Sequence, residues 1–127
     1  METITGAVAA FALCTSAPRD TCVVDGDTFW LAGEKIRLAD INAPETHQAA
    51  CAAERALGER AKARLAQLLG GGFALSVEGR ATDRYGRLLR VARREGRSLG
   101  AQLVAEGLAE PWRGRRSDWC VRLAARE

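Results

Sequence analysis

The stretch Val23–Glu45, VVDGDTFWLAGEKIRLADINAPE, decides how the rest of the chain is read. Two apparent strands run through it, and polar residues interrupt both. Asp25-Gly26-Asp27-Thr28 stands where an apolar run is expected. Arg37 lies between Ile36 and Leu38, which share one strand face, so Arg37 points to the other. Pro44 makes a rigid turn that fixes the carboxylate of Glu45. Polar groups set into strand patterns cost stability, and they mark positions kept for function.

Outward from this stretch, the patterns alternate between strand and helix. Ala7–Cys14 reads as a first strand. Cys22–Val24 and Phe29–Leu31 read as one strand interrupted at Asp25-Gly26-Asp27, where the glycine marks a bulge or close backbone approach. Ala32-Gly33-Glu34 is a tight turn, and Lys35–Ile41 pairs back. From Cys51 to Leu69 a helical stripe appears, with Leu57, Ala61, Leu65, Leu68 and Leu69 on one face, stopped by Gly70-Gly71-Gly72. Phe73–Glu78 alternates as a half-buried strand, and Arg87–Arg93 follows as another. Ser98 caps a helix carrying Leu99, Leu103 and Val104, with Gly107 just past its end. Ser117 is the expected cap of a short final helix. Five short strands, with a helix between the third and fourth, predict an α+β fold. Its centre is a five-stranded OB-type Greek-key barrel with two to three packed helices. Residues 1–127 are expected to be one domain.

Composition sets the broad class. With 47% hydrophobic and 28% charged residues the chain reads as a soluble globular protein. No apolar run approaches the roughly 18 residues that span a membrane. Gly6–Leu13 lacks a basic flank and is too short for a convincing signal peptide, so it reads as strand, although removal of a signal would leave the same sequence. The net charge of +3 is built from seventeen Arg and two Lys. Genome bias accounts for much of that imbalance. Seven Arg within Arg80–Arg97 against two acids nevertheless give a footprint suited to a polyanion, and a solvated strand face looks similar.

Four cysteines, Cys14, Cys22, Cys51 and Cys120, contain no Cys-x-x-Cys pair, and His47 is the only histidine. A structural zinc site is not expected. Three disulfide connectivities are open. Cys14–Cys22 would close the loop TSAPRDT, and Cys51–Cys120 would tie the C-terminal region to the first long helix. That pattern suits an oxidising compartment, secreted or periplasmic. The competing expectation is four reduced cysteines in a cytosolic protein.

The candidates for chemistry come from separated places. Asp27 is a candidate ligand for a hard cation, with Asp25 two residues earlier on the same face as its support. An Asp-Gly-Asp turn that bonds its own backbone is the commoner case for such a sequence. Arg37 and Arg87 are candidates to grip phosphate, although a lone strand arginine is usually just solvated. Glu45 is a candidate general base, against the plainer reading of a loop acid. Tyr85 has a face for stacking on a base. His47 reads as a surface residue at the entry to the helix.

Together these residues form a recognisable set. VVDGDTFWL, then IRL, then the loop ending Ala-Pro-Glu, then Thr82-Asp83-Arg84-Tyr85-Gly86-Arg87, then Leu103–Ala109 resemble the staphylococcal nuclease (thermonuclease-like) family in order and spacing over roughly residues 20–110. The resemblance implies an OB-type barrel carrying a Ca²⁺-dependent nuclease site. By position it implies Asp27 as metal ligand, the Ala43 carbonyl as a second, and Arg37 and Arg87 as phosphate-binding arginines. It further implies Glu45 as base and Arg84 and Tyr85 as nucleotide contacts, with Trp112 in place of stacking tyrosines. One position departs from the family: Asn42 stands where a second metal-binding aspartate is usual. Loss of that charge predicts weaker Ca²⁺ binding or an altered metal preference, and Asn42→Asp is expected to tighten it. Asp40 is a neighbouring acid whose strand direction argues against ligation.

The expected function is hydrolysis of DNA or RNA, single strands preferred, by water activated at Glu45, leaving 3′-phosphates, in a monomer with no membrane partner. The alternative is a catalytically weak or inactive OB-type module that binds nucleic acid or protein.

Overall fold

The computed structural model describes residues 11–15 and 19–125. In chain order the elements are β1 (Cys22–Asp25), β2 (Thr28–Leu31), β3 (Glu34–Leu38), β4 (Ile41–Asn42), α1 (Ala52–Gly70), β5 (Ala74–Ser76), β6 (Leu88–Arg94), β7 (Arg97–Ser98), α2 (Leu99–Ala105), β8 (Glu110–Pro111) and α3 (Trp119–Ala124). The main sheet runs β1-β2-β3-β6-β5, with β7 paired to β6, and β4 and β8 form a separate two-stranded ribbon. The β1–β2–β3 meander is antiparallel, and β6 returns to lie parallel to β3. Among the described residues no ladder joins the two ends of this path.

The path holds five strands, but not the five read from the sequence. Cys22–Leu31 is not one bulged strand. It is a hairpin in which Asp25 pairs with Thr28 and Gly26-Asp27 is the turn, preceded by a register irregularity between Val23 and Asp25. The physical reason is lateral crowding. A Cβ on Gly26 would stand 2.7 Å from Ala61 Cβ and 2.9 Å from Ala43 Cβ, so the turn is pressed against α1 and the loop after β4. The expected first strand, Ala7–Cys14, lies partly outside the described residues. Its described end runs beside β1, with Cys14 N donating to Val23 O and Val23 N to Ala12 O, both at 2.9 Å.

Smaller differences follow the same logic. β5 ends at Ser76, and Val77 is 50% exposed, so the apolar alternation there outlasts the ladder. The final helix is capped by Asp118, whose side chain accepts from Val121 N, and not by Ser117. Ser117 is instead engaged with Glu110. The β2–β3 turn is Ala32-Gly33, both with positive φ (49° and 82°), the combination that matches strand twist in a two-residue hairpin.

The core lies between the sheet and α1. Phe11, Phe29 and Phe73 meet edge to face with centroids 5.8–6.3 Å apart. Leu38, Ile41, Leu65, Leu69 and Leu103 fill the space around them. Each such side chain contributes about 1.5–3 kcal/mol on full burial. The packing presses α1 onto the β1–β2 turn and the loop after β4, which sets the position of the acidic residues. Cys14–Cys22 and Cys51–Cys120 are both disulfides, the second joining the start of α1 to α3. No helix among the described residues is long and apolar enough to cross a membrane.

Candidate active site

The β1–β2 turn and the loop after β4 bring Asp25, Asp27 and Glu45 to one cleft of about 250 Å³. Its other walls include Thr28, His47, Arg19, Lys35, Arg87 and Arg116. Three carboxylates thus face a ring of cations across a space open to solvent.

Each acid is held differently. Asp27 Oδ1 accepts from Thr28 Oγ1 and its Oδ2 accepts from Ala43 N, both at 2.8 Å. Arg37 NH2 stands 3.5 Å from Asp27 Oδ2. Asp25 Oδ1 accepts from Thr46 Oγ1 at 2.7 Å. Burial raises the Asp25 pKa above its ordinary value, the Thr46 bond opposes this, and the nearby charge of Asp27 adds to it. Burial likewise raises Glu45, helped by the charges of Asp25 and Asp27 and opposed by Arg116. Arg116, from the segment between β8 and α3, donates to Glu45 Oε1.

The Glu45 loop is fixed by α1. Glu54 is buried and its carboxylate accepts from Glu45 N and Ala50 N, both at 3.0 Å, tying both ends of the loop to the helix's first turn. Gly58, a turn later, lets the helix approach: a Cβ there would fall 2.5 Å from Glu45 O. Arg87 enters from the start of β6. Asp83 holds it twice, accepting from its backbone N at 2.9 Å and from Nε at 2.6 Å, while also accepting from Tyr85 N. Those bonds outweigh the effect of burial and keep the Asp83 pKa below its ordinary value.

Arg37 lies deeper than a solvated strand arginine. It is 6% exposed, donates to Leu38 O and to Ile41 O (the latter at 2.8 Å), and has Trp112 stacked over it at 5.6 Å. Burial lowers its pKa and Asp27 opposes that shift. A guanidinium remains charged at any working pH. Arg37 is therefore almost wholly buried beside Asp27. Arg84 donates to the Tyr85 hydroxyl at 2.7 Å, and Tyr85 is 69% exposed beside Arg87. Asp40 is turned away, its Oδ2 accepting from Ser98 Oγ. Arg116, Thr46 and Glu54 escape sequence reasoning. Arg116 sits in an ordinary run of exposed arginines, and only the fold carries it to Glu45.

A cation can be tested against these oxygens. Among the described residues no group of three or more His, Cys, Asp or Glu side chains is arranged to hold an ion by itself. What remains is three single oxygens of suitable type. Asp27 keeps a spare lone pair on each oxygen, Asn42 Oδ1 is buried with no hydrogen-bond partner among the described residues, and the Ala43 carbonyl follows directly in sequence. Carboxylate, amide and backbone carbonyl oxygens are the donor types that a hard cation takes.

A family model described as staphylococcal nuclease homologue matches residues 35–120, a span that holds Arg37, Glu45 and Arg87 but not the Asp25–Asp27 turn. The chain is similar to Protein ParB of Escherichia coli, 36% identical over 111 residues, covering 76% of this chain and 58% of ParB. It is also similar to succinoglycan biosynthesis protein ExoI of Rhizobium meliloti (strain 1021), 33% identical over 92 residues, covering 68% of this chain and 48% of ExoI. The chain spans about half the length of these curated relatives. With an α+β fold of OB type and a family match across most of its length, the chain belongs to the staphylococcal nuclease homologue family.

Proposed function

We propose that the protein is a metal-dependent nuclease that hydrolyses phosphodiesters of DNA or RNA. The observation that carries this reading is the meeting of Glu45, Asp27 and Arg87 on one solvent-open cleft. Glu45 takes a proton from a water molecule, and its raised pKa makes it a stronger base than an ordinary glutamate. The water oxygen bonds to phosphorus as the bond to the 5′-oxygen breaks; that oxygen takes a proton from solvent and departs as a 5′-hydroxyl, leaving a 3′-phosphate. Arg87 is held in line by Asp83 and offers its terminal N–H groups to the non-bridging oxygens, where charge accumulates. Arg37 supports that charge from below while fixing Asp27. Asp27, Asn42 and the Ala43 carbonyl would hold Ca²⁺, which supplies Lewis-acid polarisation of the phosphate when bound.

Substrate selection follows from the rim. Exposed Tyr85, with Arg84 and Arg87 against it, and half-exposed Trp112 offer stacking faces without base-edge readout. Such faces favour single strands with little base preference. The two disulfides suit a secreted or periplasmic location. A second reading, a binding module with little catalysis, draws on the neutral Asn42 and on Arg116 occupying Glu45. End-group analysis of products from labelled single-stranded DNA and RNA separates the two: a 3′-phosphate supports the nuclease, and retention of intact strands supports the module.

A further inference from the structure

Glu110 lies opposite Asn42 in the β4–β8 ladder, and both are buried, at 7% and 1% exposure. Glu110 Oε2 accepts from Asn42 Nδ2 at 2.7 Å, from Ser117 Oγ at 2.9 Å and from Ser117 N at 3.2 Å. Its Oε1 accepts from Arg122 at 2.9 Å. An ionised carboxylate has no hydrogen to give, so only the NH₂ end of the amide can face it. The orientation of Asn42 is therefore imposed. Its Oδ1 is left buried and without a donor among the described residues, an arrangement that normally costs stability. The next residue, Ala43, holds Asp27 through its backbone N–H.

We infer that Glu110 is a positioning residue for the metal centre. It carries, on the facing strand, the negative charge that position 42 lacks, and it locks the Asn42 amide with the oxygen free for a cation. The functional half of this inference rests on the calcium reading above. Positions 42 and 110 are thereby coupled. Asn42→Asp alone would set two carboxylates at hydrogen-bond distance, where like charges repel and no N–H remains between them. Asn42→Asp together with Glu110→Gln moves the charge to position 42 and remakes the hydrogen bond with donor and acceptor reversed, at the cost of the bond from Ser117 N to the same atom. The sequence-based expectation that Asn42→Asp by itself tightens Ca²⁺ binding thus changes: the partner must change with it.

The test is a double-mutant cycle on the full chain, reading thermal stability without metal and Ca²⁺ affinity by calorimetry. Asn42→Asp is expected to lower Tm by about 5 °C or more, and the double variant to recover part of that loss, the Ser117 and Arg122 bonds to Glu110 being weakened. The double variant should bind Ca²⁺ about tenfold more tightly than the native protein, and Glu110→Gln alone should bind it more weakly. Additive Tm changes would overturn the coupling whatever happens to the metal. A Ca²⁺ affinity identical in all four proteins would overturn the positioning role and leave the calcium reading standing. Coupling in Tm with no Ca²⁺ binding by any of the four would overturn the calcium reading, and the positioning role with it.

Discussion

Arg116 donates to Glu45 across the cleft, so the carboxylate proposed as the base already has a guanidinium partner before substrate arrives. The Arg116 side chain is 54% exposed, and such a pair contributes little to stability, about 0–1 kcal/mol. It does lower the Glu45 pKa against burial. Arg116→Ala should leave Tm nearly unchanged and move the acid limb of the pH–rate profile to higher pH. A profile that stays in place would separate Arg116 from the chemistry.

Glu45→Gln should lower the cleavage rate by about 10²–10⁴-fold, the usual worth of a positioned base. Arg87→Ala should lower it by about 10²–10³-fold through loss of charge stabilisation. Circular dichroism should report an intact fold for both. Native rates in both variants would mean that the site lies elsewhere.

Gly58→Ala pits two effects of opposite sign. Within an exposed helix the change gains about 1 kcal/mol in propensity. Here the new Cβ would meet the Glu45 carbonyl oxygen at 2.5 Å, a backbone contact that cannot swing aside. Overpacking of this kind costs about 1–3 kcal/mol, so net destabilisation is expected. Because the displaced atom belongs to Glu45, activity should fall more than Tm does. An unchanged or raised Tm with full activity would contradict the close packing of α1 on this loop.

Much of this arrangement is legible in the sequence, and the parts that are not share a cause. Helix α1, its Gly stop and the Ser98 cap follow from local periodicity and capping chemistry. The Gly26-Asp27 hairpin does not, because a glycine inside a strand pattern reads equally as bulge or turn. Contact with Ala61, far along the chain, decides between them. The depth of Arg37 is similarly hidden. Alternation gives its face, while Trp112 and the Ile41 carbonyl, which determine its burial, arrive from other elements. Glu110 carries no local mark at all: it follows a helix end like any loop acid, and only the β4–β8 ladder sets it against Asn42.

The pH dependence of stability should run opposite to that of activity over the range in which Asp25 and Glu45 titrate. Asp25 and Glu45 have raised pKa values, so the native state binds their protons more readily than the unfolded chain. Stability therefore rises as pH falls from neutral through those raised values. Glu110 and Asp83 act the other way. Their hydrogen bonds outweigh burial and lower their pKa values, so the stability they provide is lost as pH falls below the ordinary carboxylate range. Tm should peak at mildly acidic pH, whereas cleavage, which needs ionised Glu45, should increase toward higher pH. Asp25→Asn should raise Tm at neutral pH and flatten this difference. A Tm that climbs steadily with pH through neutrality would contradict the sign of both shifts.

The most direct measurement is cleavage of single-stranded DNA by the native protein and by Glu45→Gln, each with Ca²⁺ and with a chelator. The expected result is a 3′-phosphate product from the native protein in Ca²⁺, about 10²–10⁴-fold less from Glu45→Gln in Ca²⁺, and none from either protein with the chelator. Cleavage that survives the chelator, or native protein inactive with every divalent ion tried, would contradict a metal-dependent nuclease.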